Sequence, residues 1–189
     1  MLYEVCLNPS LLQESERLLR RVMQECYASD SRYRATIFER IDGSEQIQAA
    51  LRWQEGVVSP IQHPGVSFTR GQLVAGRAWE APGRFFVLEL PEFADRRDLV
   101  RYYIDSVGVP EESATRLGSW MERTRGILCI GLHLDPADEP VVLSVDTKVA
   151  GGFVEEEGGR MSLRGSERML PILAEFRESL SLHSLCGQV

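Results

Sequence analysis

Side chains that ionise, ligate or attack are scattered in this sequence. The cysteines Cys6, Cys26, Cys129 and Cys186 share no short spacing, and His63, His133 and His183 lie apart from them and from one another. A zinc site draws its ligands from close pairs such as Cys-x-x-Cys, or from His-Glu-x-x-His on a helix, and neither pattern is present, so no metal is expected. The cysteines read as reduced intracellular thiols, which leads us to expect a cytoplasmic protein. His133 can ligate a haem or a metal, or can serve as a hydrogen-bonded structural residue; it is kept as a candidate ligand contact. There is no Gly-x-Ser-x-Gly elbow, no phosphate-cradling Gly-x-x-x-x-Gly-Lys-Ser/Thr loop and no dinucleotide Gly-x-Gly-x-x-Gly fingerprint. The carboxylates Glu155, Glu156 and Glu157 have no evident partner and read as a solvated loop. No catalytic residue is assigned, and a non-enzymatic role is expected.

Composition narrows the partners. A chain of 189 residues with 43% hydrophobic and 26% charged residues fits a single domain over 1–189 with a substantial core. A formal net charge of -7 does not suit a surface built to neutralise phosphates, so neither nucleic acid nor an anionic membrane is an expected partner. The longest apolar run, from Ile127 to Leu134, is far short of the ~20 residues that span a bilayer. The beginning of the chain, with Glu4 and no basic start, does not read as a signal peptide.

The elements that must position any site follow from periodicity. Ser10 is placed as the cap of a helix through Leu11, Leu12, Leu18, Leu19, Val22, Met23 and Cys26. Tyr33 to Ile41 reads as a strand, Asp42-Gly43-Ser44 as a turn, and the next strand alternates strictly, with Ile47, Ala49, Leu51 and Trp53 on one face. Glu55 to Thr69, with Pro60, Pro64, Gly56 and Gly65, reads as a surface loop. Gly71 to Glu80 reads as a turn entering a short helix, followed by a strand from Phe85 that Pro91 stops. A helix near Asp95 carries Leu99, Tyr102, Tyr103 and Val107 and ends at Gly108; a second is expected from Glu111 to about Arg123. Strands from Gly126 to Leu134 and from Val141 to Thr147 flank a turn at Asp135-Pro136-Ala137-Asp138. Gly158-Gly159 reads as a loop, and Ser166 is placed as the cap of a last helix with Pro171 near its start. Hairpin-linked strands with helices at the ends and in one insertion predict an α+β fold around a mostly antiparallel sheet.

The glycine-led turn and Gly76-Arg77-Ala78-Trp79-Glu80 before a strand resemble the signature of GAF domains. The later strands Ile127–Leu132 and Val141–Asp146 resemble that family's paired late strands, and the terminal helices match as well, so the resemblance covers nearly the whole chain. It implies a GAF-like, PAS-related architecture with the terminal helices on one sheet face. On the other face, insertion helices and loops would close a small-molecule pocket. It places Trp79, Phe86, Leu88, Tyr102, Tyr103 and Trp120 near that pocket, where aromatic walls would suit a planar ligand. The alternative is that these residues form a second hydrophobic core. Arg77, Glu80, Asp98 and Arg101 are the nearby charges and read as solvated.

Asp146-Thr147-Lys148, followed by Phe153 and the acidic run, resembles the Asn-Lys…Phe…Asp-Glu motif of cyclic-nucleotide-binding GAF domains; Asp146 is a candidate ligand contact. The sequence departs from that motif: Asp146 replaces the Asn, one residue separates it from Lys148, and Gly158 stands at the final acid. Free methionine sulfoxide reductases resemble GAF domains but need a reactive cysteine before the late strand, where this chain has Trp120-Met121-Glu122-Arg123-Thr124-Arg125. Bilin-binding members need an attachment cysteine in the insertion, and none is there. The resemblance thus implies a non-enzymatic sensory or regulatory domain with an unidentified small-molecule ligand and no cofactor that can be named. A homodimer through the first and last helices is also implied, with Leu11, Leu18, Val22, Met169, Leu173 and Leu180 offered for pairing. A protein-interaction module with a closed or vestigial pocket is the alternative, and a GAF-fold enzyme with an unrecognised site is the third reading.

Overall fold

The computed structural model describes residues 9–61, 66–133, 140–157 and 160–186. His63, the turn at Asp135–Asp138 and the loop at Gly158-Gly159 lie outside these residues, as do the side chains of Leu11 and Leu180. The first helix, α1, spans Pro9–Arg21, with proline at its first position, and continues as a π-helical turn over Val22–Cys26. Strands β1 (Tyr33–Arg40), β2 (Gln46–Gln54), β3 (Val57–Pro60) and β4 (Ser67–Thr69) follow, then α2 (Leu73–Glu80) and β5 (Phe85–Glu89). The insertion holds α3 (Arg96–Asp105), α4 (Glu111–Ala114) and a 3-10 turn (Ser119–Arg123). Strands β6 (Gly126–Leu132) and β7 (Val141–Thr147), a hairpin of β8 (Val154–Glu157) with β9 (Arg160–Leu163), and α5 (Ser166–Cys186) complete the order. The main sheet runs β3-β2-β1-β7-β6-β5, antiparallel at every pairing, with β4 also on the outer edge of β2. The expected α+β class is what the chain adopts. Among the described residues, no helix is long and apolar enough to cross a membrane.

The two sheet faces carry two cores. On one face, Leu18, Leu19, Val22 and Met23 of α1 and Met169, Ile172, Leu173 and Phe176 of α5 cover Ala35, Ile37, Leu51, Trp53, Leu128, Leu143 and Val145. On the other, Val74, Ala78 and Trp79 of α2, Leu99 and Tyr103 of α3, and Leu117, Trp120 and Met121 pack on Ile47, Ile127, Cys129 and Val142. Because β6 and β7 are buried along their whole length, side chains of both parities are out of water.

Three expectations fail in this layer. The strict alternation of β2 is broken: Ile37 pairs with Leu51 but Phe38 pairs with Ala49, so Ala50 is an extra residue. This bulge turns Leu51 and Trp53 towards the terminal helices while Ile47 stays with the insertion core, so the four residues do not share a face. The stretch from Glu55 to Thr69 is not simply a loop. Glu55 and Gly56, both at positive φ, make a tight turn into β3, and β4 follows. Pro60 is tolerated because β3 is an edge strand. The helix expected over 111–123 is one α-helical turn and one 3-10 turn, since Gly118 is extended at φ -72° and ψ 161° and interrupts it.

Smaller shifts have local causes. Asp95 caps α3 by accepting from the amides of Arg97 and Asp98 at 2.7 and 3.0 Å. Ser166 is not a cap; its hydroxyl donates to the Leu163 carbonyl at 2.8 Å, and the Met169 amide donates to the Gly165 carbonyl. Glu155 is not in a solvated loop but in β8, 3.5 Å from Arg164.

Glycine fixes how α2 meets the sheet. A Cβ at Gly76 would lie 2.1 Å from the Thr69 carbonyl oxygen, and one at Gly131 would lie 2.0 Å from the Ala78 carbonyl oxygen. The helix backbone therefore touches both the preceding turn and β6. Gly76 needs this close approach and not a positive φ, which belongs instead to Gly71 at +74° and Leu73 at +52°.

Candidate ligand-binding site

Side chains of β1, β2 and β7 on the insertion side bring a polar row into an otherwise apolar layer. Arg34 and Thr36 come from β1, Ser144 and Asp146 from β7, and Arg52 from β2; the register sets Arg34 opposite Asp146 and Thr36 opposite both Ser144 and Arg52. The bulge at Ala50 is what delivers Arg52 here, because it moves the residues beyond it to the opposite parity from Ile47 and Ala49.

Arg34, 7% exposed, donates through Nε to Asp146 Oδ2 at 2.9 Å, and its second guanidinium nitrogen contacts the same oxygen. Asp146 also accepts from the Ser144 hydroxyl at 3.2 Å. The Arg34 guanidinium lies 5.1 Å from the centre of the Trp120 ring, and Lys148 Nζ lies 3.7 Å from it, so two cations approach Trp120. Arg52 Nε reaches Thr36 Oγ1 at 3.5 Å and makes no ion pair among the described residues. Burial, and the Arg34 charge after it, lower the Arg52 guanidinium to about 10.

Over this row lies a cavity of about 210 Å³. Arg34, Thr36, Arg52, Ser144 and Asp146 form its polar wall; Phe38, Phe68, Leu73, Val74 and Ile127 belong to its apolar wall, and Arg116, Leu117 and Gly118 border it from the insertion. Tyr103 enters from α3. Its hydroxyl is buried with no hydrogen-bond partner, and burial first, then the Asp146 charge, push its ionisation well above the usual phenol range. Leu73 holds its left-handed backbone angle on this wall.

The structure thus gathers Tyr103, Trp120 and Asp146 around Arg34, with Tyr103 and Asp146 on the cavity itself. Trp79 is fully buried in the insertion core, with the Arg70 guanidinium 4.2 Å from its ring centre. Phe86 and Leu88 of β5 are half-buried beside that core, Arg77 lying 4.9 Å over Phe86. Tyr102 packs against Phe93 and Tyr103, and His133 is exposed just beyond β6. A second hydrophobic core and a cavity are therefore both present. Sequence reasoning did not single out Arg34, Thr36, Arg52 or Ser144. The signal was there: Arg34-x-Thr36 and Ser144-x-Asp146 set polar groups at every second position of strands otherwise fit for burial on both faces.

Cys129 lies on this side of the sheet, fully buried, its thiol pushed up by burial and so held as the unreactive thiol. Among the described residues, no cluster of three histidine, cysteine, aspartate or glutamate side chains is arranged to hold a metal.

No family model matches the chain, and no curated protein matches it. Among solved structures, it is similar to the GAF domain of a two-component sensor histidine kinase from Bacillus halodurans. That likeness has a TM-score of 0.54 at 12% identity, covering 92% of this chain and 97% of the other. An IclR family transcriptional regulator from Brucella abortus aligns at a TM-score of 0.38 and 12% identity, over 93% of this chain and 64% of that one, a likeness too weak to build on. The first likeness takes in nearly all of both chains, and this chain has the fold of a GAF domain.

Proposed function

We propose that this is a non-catalytic sensory or regulatory domain that binds a small molecule in the cavity between the sheet and the insertion. The observation that carries the reading is the buried polar wall. Burying hydroxyls and guanidinium groups beside empty space is costly unless a partner completes their hydrogen bonds, and Tyr103 lacks one. The size fits a compact ligand: an apolar cavity of about 150 Å³ is known to admit benzene, while drug-sized ligands need about 300 Å³ or more. A cyclic nucleotide is disfavoured by the departures around Asp146. The inert Cys129 and the lack of an activated nucleophile on the cavity wall favour binding over catalysis. The Bacillus halodurans neighbour is a domain of a sensor histidine kinase, which agrees with a sensory module.

Native mass spectrometry of freshly purified protein, paired with a thermal-shift screen of metabolites, tests the reading. A retained small molecule, or a compound that raises the melting temperature and alters emission from Trp120, is the expected result. No retained mass and no stabilising compound would leave the insertion face to a protein-interaction module.

A further inference from the structure

We infer that the cavity takes a small monocarboxylate with an apolar body, its carboxylate on Arg52 and the Tyr103 hydroxyl. This rests on the ligand-binding reading above and names the ligand's class. The charge balance of the wall points to an anion. Among the described residues, three guanidinium groups line the cavity, those of Arg34, Arg52 and Arg116, against one carboxylate, Asp146, which is taken by Arg34. Arg116, on the border, is engaged by Glu112. What stays unmatched is the single positive charge of Arg52, whose described contact is the 3.5 Å approach to Thr36 Oγ1.

One unmatched charge calls for a monoanion, because a dianionic phosphate ester would bring a second negative charge that no cation of the wall is left to pair. A carboxylate is planar and meets a guanidinium through two parallel hydrogen bonds, which a diffuse or neutral acceptor does not. Tyr103, 1% exposed, supplies a second donor that no described residue accepts. The body of the ligand then meets Phe38, Phe68, Val74 and Ile127, and about 210 Å³ admits one ring or a short branched chain. The lowered Arg52 value agrees: the free cavity strains the charged form, and a bound anion relieves it.

The test compares matched acids and amides on the whole protein. Benzoate and 3-methylbutanoate are titrated beside benzamide, 3-methylbutanamide and phenyl phosphate, by calorimetry and by melting temperature. The acids are expected to bind and to raise the melting temperature; the amides are expected to do neither. Arg52→Gln should weaken acid binding by about 10- to 100-fold and Tyr103→Phe by about tenfold. Arg52→Lys, which keeps the charge, should retain part of the affinity, and it answers the question if the Gln variant fails to fold. Amides that bind as well as acids, phenyl phosphate that binds more tightly than either acid, or full acid affinity in both Arg52 variants would overturn the carboxylate assignment. Failure of both acids to bind would overturn it too, and the small-molecule reading would then stand or fall separately on the mass retained in native spectrometry.

Discussion

Arg34 and Asp146 show what a single buried pair does to the energetics of a sheet. Their side chains are each 8% exposed, so the attraction between them acts where neither charge is well solvated. Removing one partner should be worse than removing both. Asp146→Ala is expected to destabilise the fold by about 3–5 kcal/mol, since it strands the Arg34 charge. The double change Arg34→Met with Asp146→Leu should recover most of that loss. Urea denaturation of the three proteins checks the order, and equal stability of the single and double variants would show that Arg34 is solvated after all. Glu39, near the end of β1, makes a pH prediction of opposite origin. Burial, with Asp42 second, pushes its carboxyl up from 4.5 to about 7. The folded state therefore holds the proton more tightly than the unfolded chain. Its contribution to stability is full below 4.5 and is lost as pH rises through about 7. Glu39→Gln cannot titrate, so its melting temperature should gain on the wild type as pH rises from 4.5 to about 7, the window separating the two values. A constant difference across that range would place Glu39 in water.

At the scale of the element, α2 is set by two glycines and one bulge shapes the cavity wall. Gly76→Val must push a side chain into the Thr69 carbonyl, which is backbone and cannot rotate away. We expect a loss of more than about 2 kcal/mol, read as a fall in melting temperature of several degrees. Leu73→Gly, at a backbone angle of +52°, should cost less than its lost packing alone implies, because glycine relieves the strain there. Scanning calorimetry of the pair separates the two roles of glycine in this turn: close approach at 76 and freedom of angle at 73. The bulge at Ala50 has a different effect, since it lets one strand serve both cores and hands Arg52 to the cavity.

For the whole molecule, pairing of α1 and α5 with a second chain would have to use their outer faces. Leu18, Val22, Met169 and Leu173 are already buried against the sheet of their own chain. On the outer side of α5, Leu170 is 52% exposed, and Arg21 of α1 is bridged to Glu175 of α5. If the domain pairs, Leu170→Glu should abolish the dimer and leave the melting temperature within a degree or so, as for most surface changes. Sedimentation at micromolar concentration reads this directly, and a wild-type monomer there rules the pairing out.

The α+β class, the order of the main helices and strands, the hairpin turn at Asp42–Ser44 and the amphipathic terminal helices were legible in the sequence, because each depends on local periodicity and turn chemistry. So was the segment from Gly71 to Trp79, whose small residues already mark a tight passage. The bulge at Ala50 was not, because an inserted residue in a strand is defined by its partner: only the pairing of Ile37 with Leu51 and Phe38 with Ala49 reveals it. The break at Gly118 depends likewise on the fold around it. The cavity was half visible. Trp120, Tyr103 and Asp146 could be placed near a site, whereas the surplus charge of Arg52 is a property of the tertiary structure alone. A guanidinium is ordinary in sequence, and it becomes informative once Arg34 has taken the one carboxylate that the described residues set on the cavity and the bulge has turned Arg52 to face it.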